Sequence, residues 1–164
     1  MIKLIVLDVD GTLTNGDIIY SDSGEELKSF NVKDGLGIAT WIKLGREVAI
    51  ITGRTSKIVE VRAKDLGIQH IKQGVINKYE VLQSILQESK IDISEVAAIG
   101  DDLNDLKMLA SLKYSFAPKD SVKEIRRVVF RVLKSNGGNG AVREMIDYLI
   151  KKEKLQRMIY EIFE

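Results

Sequence analysis

Short apolar runs alternate with longer amphipathic stretches along most of the 164 residues, and that rhythm leaves few folds open. Lys3–Leu7, Val48–Ile51, His70–Lys72, Val96–Ile99 and Tyr114–Ala117 read as strands, and Val128–Val132 is a candidate sixth. Between them, Asp34–Leu44, Ser56–Leu66, Lys78–Ser89, Asp102–Leu112 and a short Val122–Arg127 carry helical periodicity, and a last helix opens at Ala141. Strands that are apolar throughout and alternate with helices predict an α/β domain: a Rossmann-like, doubly wound, mainly parallel sheet flanked by helices. One insertion breaks the alternation. Within residues 14–31, Ile18–Tyr20 and Leu27–Phe30 flank Ser21-Asp22-Ser23-Gly24, which predicts a small β-hairpin after strand one. The stretch between Asp10 and Thr52 holds only this hairpin and one helix, too little for a cap domain. Residues 1–164 are expected to form a single domain, with a charged, amphipathic tail over about 151–164.

Composition narrows the chemistry. The chain has 25 basic and 24 acidic residues, for a net charge of +1, so there is no electrostatic footprint for nucleic acid and no polybasic membrane patch. It has no cysteine and one histidine, His70, which removes thiolate chemistry and multi-histidine metal sites. Acid–base work therefore falls mainly on carboxylates. The N-terminal apolar run is short and stops at Asp8 and Asp10, and a cytoplasmic protein is expected.

In open α/β sheets, ligands bind beyond the carboxyl ends of the strands. The residues there are Asp8, Asp10, Gly11 and Thr12; Thr52, Gly53 and Arg54; Asn77 and Lys78; and Gly100, Asp101, Asp102 and Asp105. Asp8 and Asp10 stand two apart, and in extended backbone they would project to one side. Two carboxylates facing one point repel each other, a cost that a bound Mg2+ removes, and Asp101 supplies a further carboxylate. Phosphoryl transfer needs a nucleophile, charge neutralisation and an acid for the leaving oxygen. Asp8 can attack phosphorus, and Asp10 can protonate the leaving alcohol and then deprotonate water. Thr52 offers a hydroxyl and nearby amides to phosphate oxygens, and Lys78 offers a point charge.

Asp8-Val9-Asp10-Gly11-Thr12, Thr52-Gly53, Lys78 and Gly100-Asp101-Asp102 follow, in order, the four motifs of the haloacid dehalogenase superfamily, which the chain resembles over nearly its whole length. Within it, Gly24–Lys28, Phe30–Gly35, Ile51–Arg54, Gln73-Gly74 and Gly137–Glu144 resemble the capless phosphatases of 3-deoxy-D-manno-octulosonate 8-phosphate, a lipopolysaccharide precursor. The resemblance implies Mg2+ held by the side chains of Asp8 and Asp101 and the backbone carbonyl of Asp10. It also implies a sugar phosphate bound through Thr12, Asn31, Lys33, Gly53 and Arg54. The hairpin would then assemble a homotetramer in which a neighbouring subunit helps close the site. Lys33 stands where many members carry arginine, and Asn139 where some carry a charge. A sister branch acting on nine-carbon keto-deoxy sugar phosphates tends to have glutamate at the position of Arg54.

Plainer readings stand beside these. Asp-Gly is ordinary turn chemistry, and Asp102 or Asp105 can cap a helix or serve its dipole as well as support a metal site. Gly137–Gly140 can be a simple loop or a place where an anion approaches. His70 and Trp41 read as structural, and the stripe Leu155, Met158, Ile159, Ile162, Phe163 as a packing face, here against another subunit, rather than a membrane anchor. The rival functions are a mutase, which usually needs a cap to exclude water, a non-catalytic assembly module, and a receiver domain. In a receiver the phosphorylated aspartate ends strand three, where this chain has Lys72-Gln73-Gly74.

Overall fold

A computed structural model describes residues 1–164. Six parallel strands form the main sheet in the order β5-β4-β1-β6-β7-β8: β1 Leu4–Leu7, β4 Glu47–Ile51, β5 His70–Lys72, β6 Val96–Ile99, β7 Tyr114–Ala117 and β8 Arg131–Val132. A separate antiparallel pair, β2 Ile19–Tyr20 and β3 Glu26–Leu27, is the hairpin. The helices are α1 Val32–Lys43, α2 Lys57–Leu66, α3 Lys78–Ser89, α4 Leu106–Ala110, α5 Lys123–Val128, α6 Ala141–Lys152 and α7 Gln156–Phe163. No helix is long and apolar enough to cross a membrane.

The strands are apolar on both faces because both faces are covered. Ile5 and Leu7 of β1 join Val48 and Ile50 of β4 in a core layer with Ile38 and Trp41 of α1, Val59 of α2, and Met145, Ile146 and Leu149 of α6. Leu4 and Val6 face the other way, with Ala49 and Ile51, onto Leu82 and Ile85 of α3, Met108 and Leu109 of α4, and Ile125 of α5. The chain moves from β1 outward through β4 to β5, then returns across β1 to β6, β7 and β8. That reversal places the switch point between β1 and β6, and it opens a crevice at their carboxyl ends.

Three elements differ most from the sequence reading. Helix α1 begins at Val32 because Asn31 is its N-cap, accepting from the amides of Lys33 (2.8 Å) and Asp34 (3.4 Å). Asp34 then turns inward and accepts from the amides of Gly140 (3.2 Å) and Arg143 (2.7 Å), so a residue of α1 caps the start of α6. The expected helix over Asp102–Leu112 is split into a 3-10 turn, Leu103–Asp105, and the shorter α4. The cause is local: the Asp102 side chain accepts from the Leu103 amide at 2.7 Å, and the Asp105 carboxylate folds back onto its own preceding loop. The sixth strand shrinks to Arg131–Val132, since Val128 ends α5.

The tail packs on its own chain. Ile159 and Ile162 join the core layer of α1 and α6, and Lys43 Nζ lies 5.3 Å from the ring centre of Phe163. Trp41 is fully buried in that layer. His70 pairs with Glu47 at 2.8 Å at the amino ends of β4 and β5, away from the crevice.

Candidate active site

A cleft of about 350 Å³ lies beyond the strand ends, lined by Asp8, Asp10, Thr52, Gly53, Arg54, Asp101, Asp102 and Asn104. None of these residues is apolar. Asp8 leaves the end of β1 and Asp101 follows β6, so neighbouring parallel strands bring the two carboxylates together.

Beneath them sits a buried charge cluster. Lys78, the first residue of α3, is 1% exposed, and its ammonium lies 2.6 Å from Asp8 Oδ1 and 2.6 Å from Asp105 Oδ1. Asp105 is fully buried, and its other oxygen accepts from the amides of Asp101 (3.1 Å) and Asp102 (3.4 Å). One side chain thus orients both the lysine and the loop that carries Asp101. Two carboxylates share the lysine and a third, Asp101, lies beside them, and the electrostatics follow. Burial pushes Asp8 up to about 7 against the pull of Lys78. Burial likewise lifts Asp101 to about 6, with the contacts from Asp8 and the Thr12 hydroxyl opposing. Burial and the charge of Asp8 raise Asp105 to about 6, with Lys78 opposing. Burial draws the Lys78 ammonium down, yet Asp8 and Asp105 outweigh it and its pKa ends above the usual value.

This donor set suits a hard divalent cation. Oxygens of Asp8, Asp101 and Asp105 fall within 4.8 Å of one another, and magnesium takes carboxylate oxygens of this kind. Both Asp105 oxygens already accept hydrogen bonds and its side chain does not reach the cleft, so Asp8 and Asp101 are the carboxylates left to face an ion.

Asp10 lines the same cleft as Asp8, but the extended backbone of β1 ends at Leu7 and Asp10 stands in the turn that follows, so strand geometry does not set its side chain. Its Oδ1 accepts instead from Lys28 Nζ, and its Oδ2 lies 3.9 Å from Arg54 Nε. Thr52 is buried at the cleft floor. Its own amide is committed to Lys72 O (3.0 Å), which leaves the hydroxyl, rather than that amide, for a ligand. Gly53 and Arg54 line the cleft. Thr12 lies beneath it, donating to Asp101 Oδ1 at 3.3 Å. Asn31, the α1 cap, and Lys33, exposed on α1, do not line the cleft of this chain.

Two glycine positions are dictated by close approach. A Cβ on Gly11 would lie 2.1 Å from Asp101 Oδ2, and one on Gly137 would lie 1.9 Å from Gly11 O. With Gly138 N donating to Thr12 O at 2.9 Å, the Gly137–Gly140 loop buttresses the Gly11–Asn15 backbone, a packing role that dictates its glycines.

The sequence reading missed Lys28, Glu26 and Asn104 as residues of this region, and it left Asp105 between capping a helix and supporting a metal site. The spacing of Asp102 and Asp105 carried a signal for the last, since a capping-box pair three apart turns the second side chain back onto the loop. Nothing local marks Lys28, which reaches Asp10 only through the path of the hairpin.

Comparison with known proteins agrees with this geometry. Residues 67–146 match the haloacid dehalogenase-like hydrolase family. The chain is 43% identical to the 3-deoxy-D-manno-octulosonate 8-phosphate phosphatase KdsC of Escherichia coli K12, over 91% of this chain and 79% of that protein. It superposes with a TM-score of 0.95 on the crystal structure of the phosphatase of that name from Moraxella catarrhalis, in complex with magnesium, phosphate and KDO. That match has 40% identity and covers 99% of this chain and 94% of the other. The cobalt-bound deoxy-D-mannose-octulosonate 8-phosphate phosphatase from Haemophilus influenzae superposes at a TM-score of 0.88, with 38% identity over 92% and 88% of the two chains.

Proposed function

Because this chain belongs to the 3-deoxy-D-manno-octulosonate 8-phosphate phosphatases of the haloacid dehalogenase-like hydrolases, we propose that it hydrolyses that eight-carbon sugar phosphate in lipopolysaccharide precursor synthesis. The observation that carries the reading is Asp8 at the cleft floor, clamped by Lys78 and faced by Asp101. Asp8 is the nucleophile: its carboxylate oxygen forms a bond to phosphorus as the bond from phosphorus to the sugar oxygen breaks. Asp10 gives a proton to that leaving oxygen. It then takes one from the water that attacks phosphorus and releases Asp8. Lys78 holds Asp8 in place and adds positive charge beneath the transferred group, and the Thr52 hydroxyl faces its oxygens. Asp8, Asp101 and the Asp10 carbonyl would hold magnesium, which would supply positive charge to the phosphate oxygens. Gly53 and Arg54 contact the substrate from the rim, Thr12 supports it through Asp101, and Asn31 and Lys33 serve a neighbouring subunit's site.

In the same reading the enzyme works in the cytoplasm as a homotetramer. Support for assembly comes from the hairpin, whose Ile18, Ile19, Tyr20 and Leu27 are all exposed. The test of the function is phosphate release from eight-carbon and nine-carbon keto-deoxy sugar phosphates and hexose phosphates, with Mg2+ and with chelator. Magnesium-dependent turnover that strongly favours the eight-carbon compound is expected. Preference for the nine-carbon compound replaces the substrate, and no turnover of any compound by folded protein refutes the reading.

A further inference from the structure

The hairpin reaches into the cleft through a closed ring of charges. Lys28 follows β3, and its side chain is 1% exposed. Its ammonium donates to Asp10 Oδ1 and lies 3.3 Å from Glu26 Oε1. The same Glu26 oxygen accepts from Arg54 Nη2 at 3.0 Å, and Arg54 Nε lies 3.9 Å from Asp10 Oδ2. Each oxygen of Asp10 therefore faces one cation, and both cations share one glutamate. Tyr20 of β2 adds its hydroxyl 3.5 Å from Arg54 Nη2. A lysine ammonium is costly to bury without a partner, and Lys28 has two.

Asp10 lies in a turn, outside the sheet ladder, so its side chain has no backbone scaffold to fix it. The ring supplies one. A carboxylate has about four lone-pair sites, so contacts to two cations fix its plane and still leave acceptor sites for a water in the cleft. We propose that Lys28 is a positioning residue for catalysis: it holds the Asp10 carboxylate as the proton acceptor of the second half-reaction, and Glu26 braces Lys28 and Arg54. The inference rests on the phosphatase reading of the cleft. In that half-reaction water adds to phosphorus, its proton passes to Asp10, and the bond between phosphorus and the Asp8 oxygen breaks. The hairpin is then part of the active site as well as an assembly element.

The test is Lys28→Met, which keeps the length of the side chain and removes the charge. Rapid acid quench with p-nitrophenyl phosphate and Mg2+ reads both nitrophenol release and phosphate bound covalently to protein. Nitrophenolate leaves without a proton, so the first half-reaction draws little on the ring. Hydrolysis of the phosphoenzyme is expected to slow by about 10²-fold, as for a misplaced catalytic group, with nitrophenol release in the first turnover falling at least about tenfold less. Phosphoenzyme accumulates, and Lys28→Arg restores its hydrolysis. Glu26→Gln shows the same split to a smaller degree. Equal slowing of both half-reactions, or of neither, overturns the proposal. Wild-type protein that forms no phosphoenzyme and releases no phosphate refutes the phosphatase reading instead. The ring is then judged by thermal unfolding of Asp10→Asn, Lys28→Met and the double variant: non-additive midpoint shifts are expected, and additive shifts overturn it.

Discussion

Replacing Asp105 by alanine removes three contacts at once from a place with no access to water. Lys78 Nζ loses a partner at 2.6 Å, and the amides of Asp101 and Asp102 lose theirs at 3.1 and 3.4 Å. Breaking a buried ion pair by removing one member costs about 3–5 kcal/mol, because the remaining charge stays buried. Here the lower end applies: Asp8 still holds Lys78, and burial has already pushed Asp105 up to about 6, so its charged form is itself costly. At about 2–4 °C per kcal/mol for a chain of this size, the unfolding midpoint should fall by about 6–12 °C. Turnover should fall further than stability suggests, by about 10²-fold, since Lys78 and the Asp101 loop lose the side chain that orients both. Asp105→Asn keeps an acceptor for the amides and should recover part of the midpoint but not the turnover. Circular dichroism melts and phosphate release on the same preparations check both. A midpoint within about 2 °C of wild type would refute the energetic argument, and wild-type turnover in the alanine variant would refute the role of Asp105 in placing Lys78.

Two more outcomes follow from the same cleft and from the hairpin. Asp8, Asp101 and Asp105 titrate above their unfolded values, so in metal-free protein their contribution to stability is full below about pH 4 and is lost as pH rises through about 6 to 7. Magnesium needs the ionised carboxylates, so its binding near pH 6.5 should release protons, and its gain in melting temperature should be larger at pH 8 than at pH 5.5; calorimetry in buffers of different ionisation enthalpy reads the first, and no proton release would contradict the shifts. Leu27→Asp puts a charge on the exposed hairpin and should shift the proposed homotetramer toward smaller species in sedimentation; an unchanged distribution removes the hairpin from the proposed interface.

The floor of the cleft was legible in the sequence because strands buried on both faces must stop where polar residues begin. Asp8, Thr52 and Asp101 stand at those stops, and parallel pairing of β1 with β4 and β6 brings them together. Lys78 was visible as a polar residue opening a helix, but its buried pairing with Asp105 was not, since it joins residues of two elements 27 apart. Asp10 reaches the same cleft as Asp8, but from a turn past Leu7 and not from the extended strand the sequence suggested. Lys28 lay outside any local rule: its ammonium reaches Asp10 only because the hairpin folds back over the cleft. The capping of α1 by the Asn31 side chain was legible too, since Asn followed three residues later by Asp34 is a helix-start pattern.

The claim at the centre of the account is that Asp8 carries the phosphoryl group. Acid quench during turnover, borohydride reduction of the acyl phosphate and mass spectrometry of the peptide bearing residues 4–12 would test it most directly. The account predicts reduction of Asp8 alone, dependent on Mg2+ and absent in Asp8→Asn, which should remain folded. Full turnover with no modification at Asp8, or a wild-type rate in that variant, would contradict it.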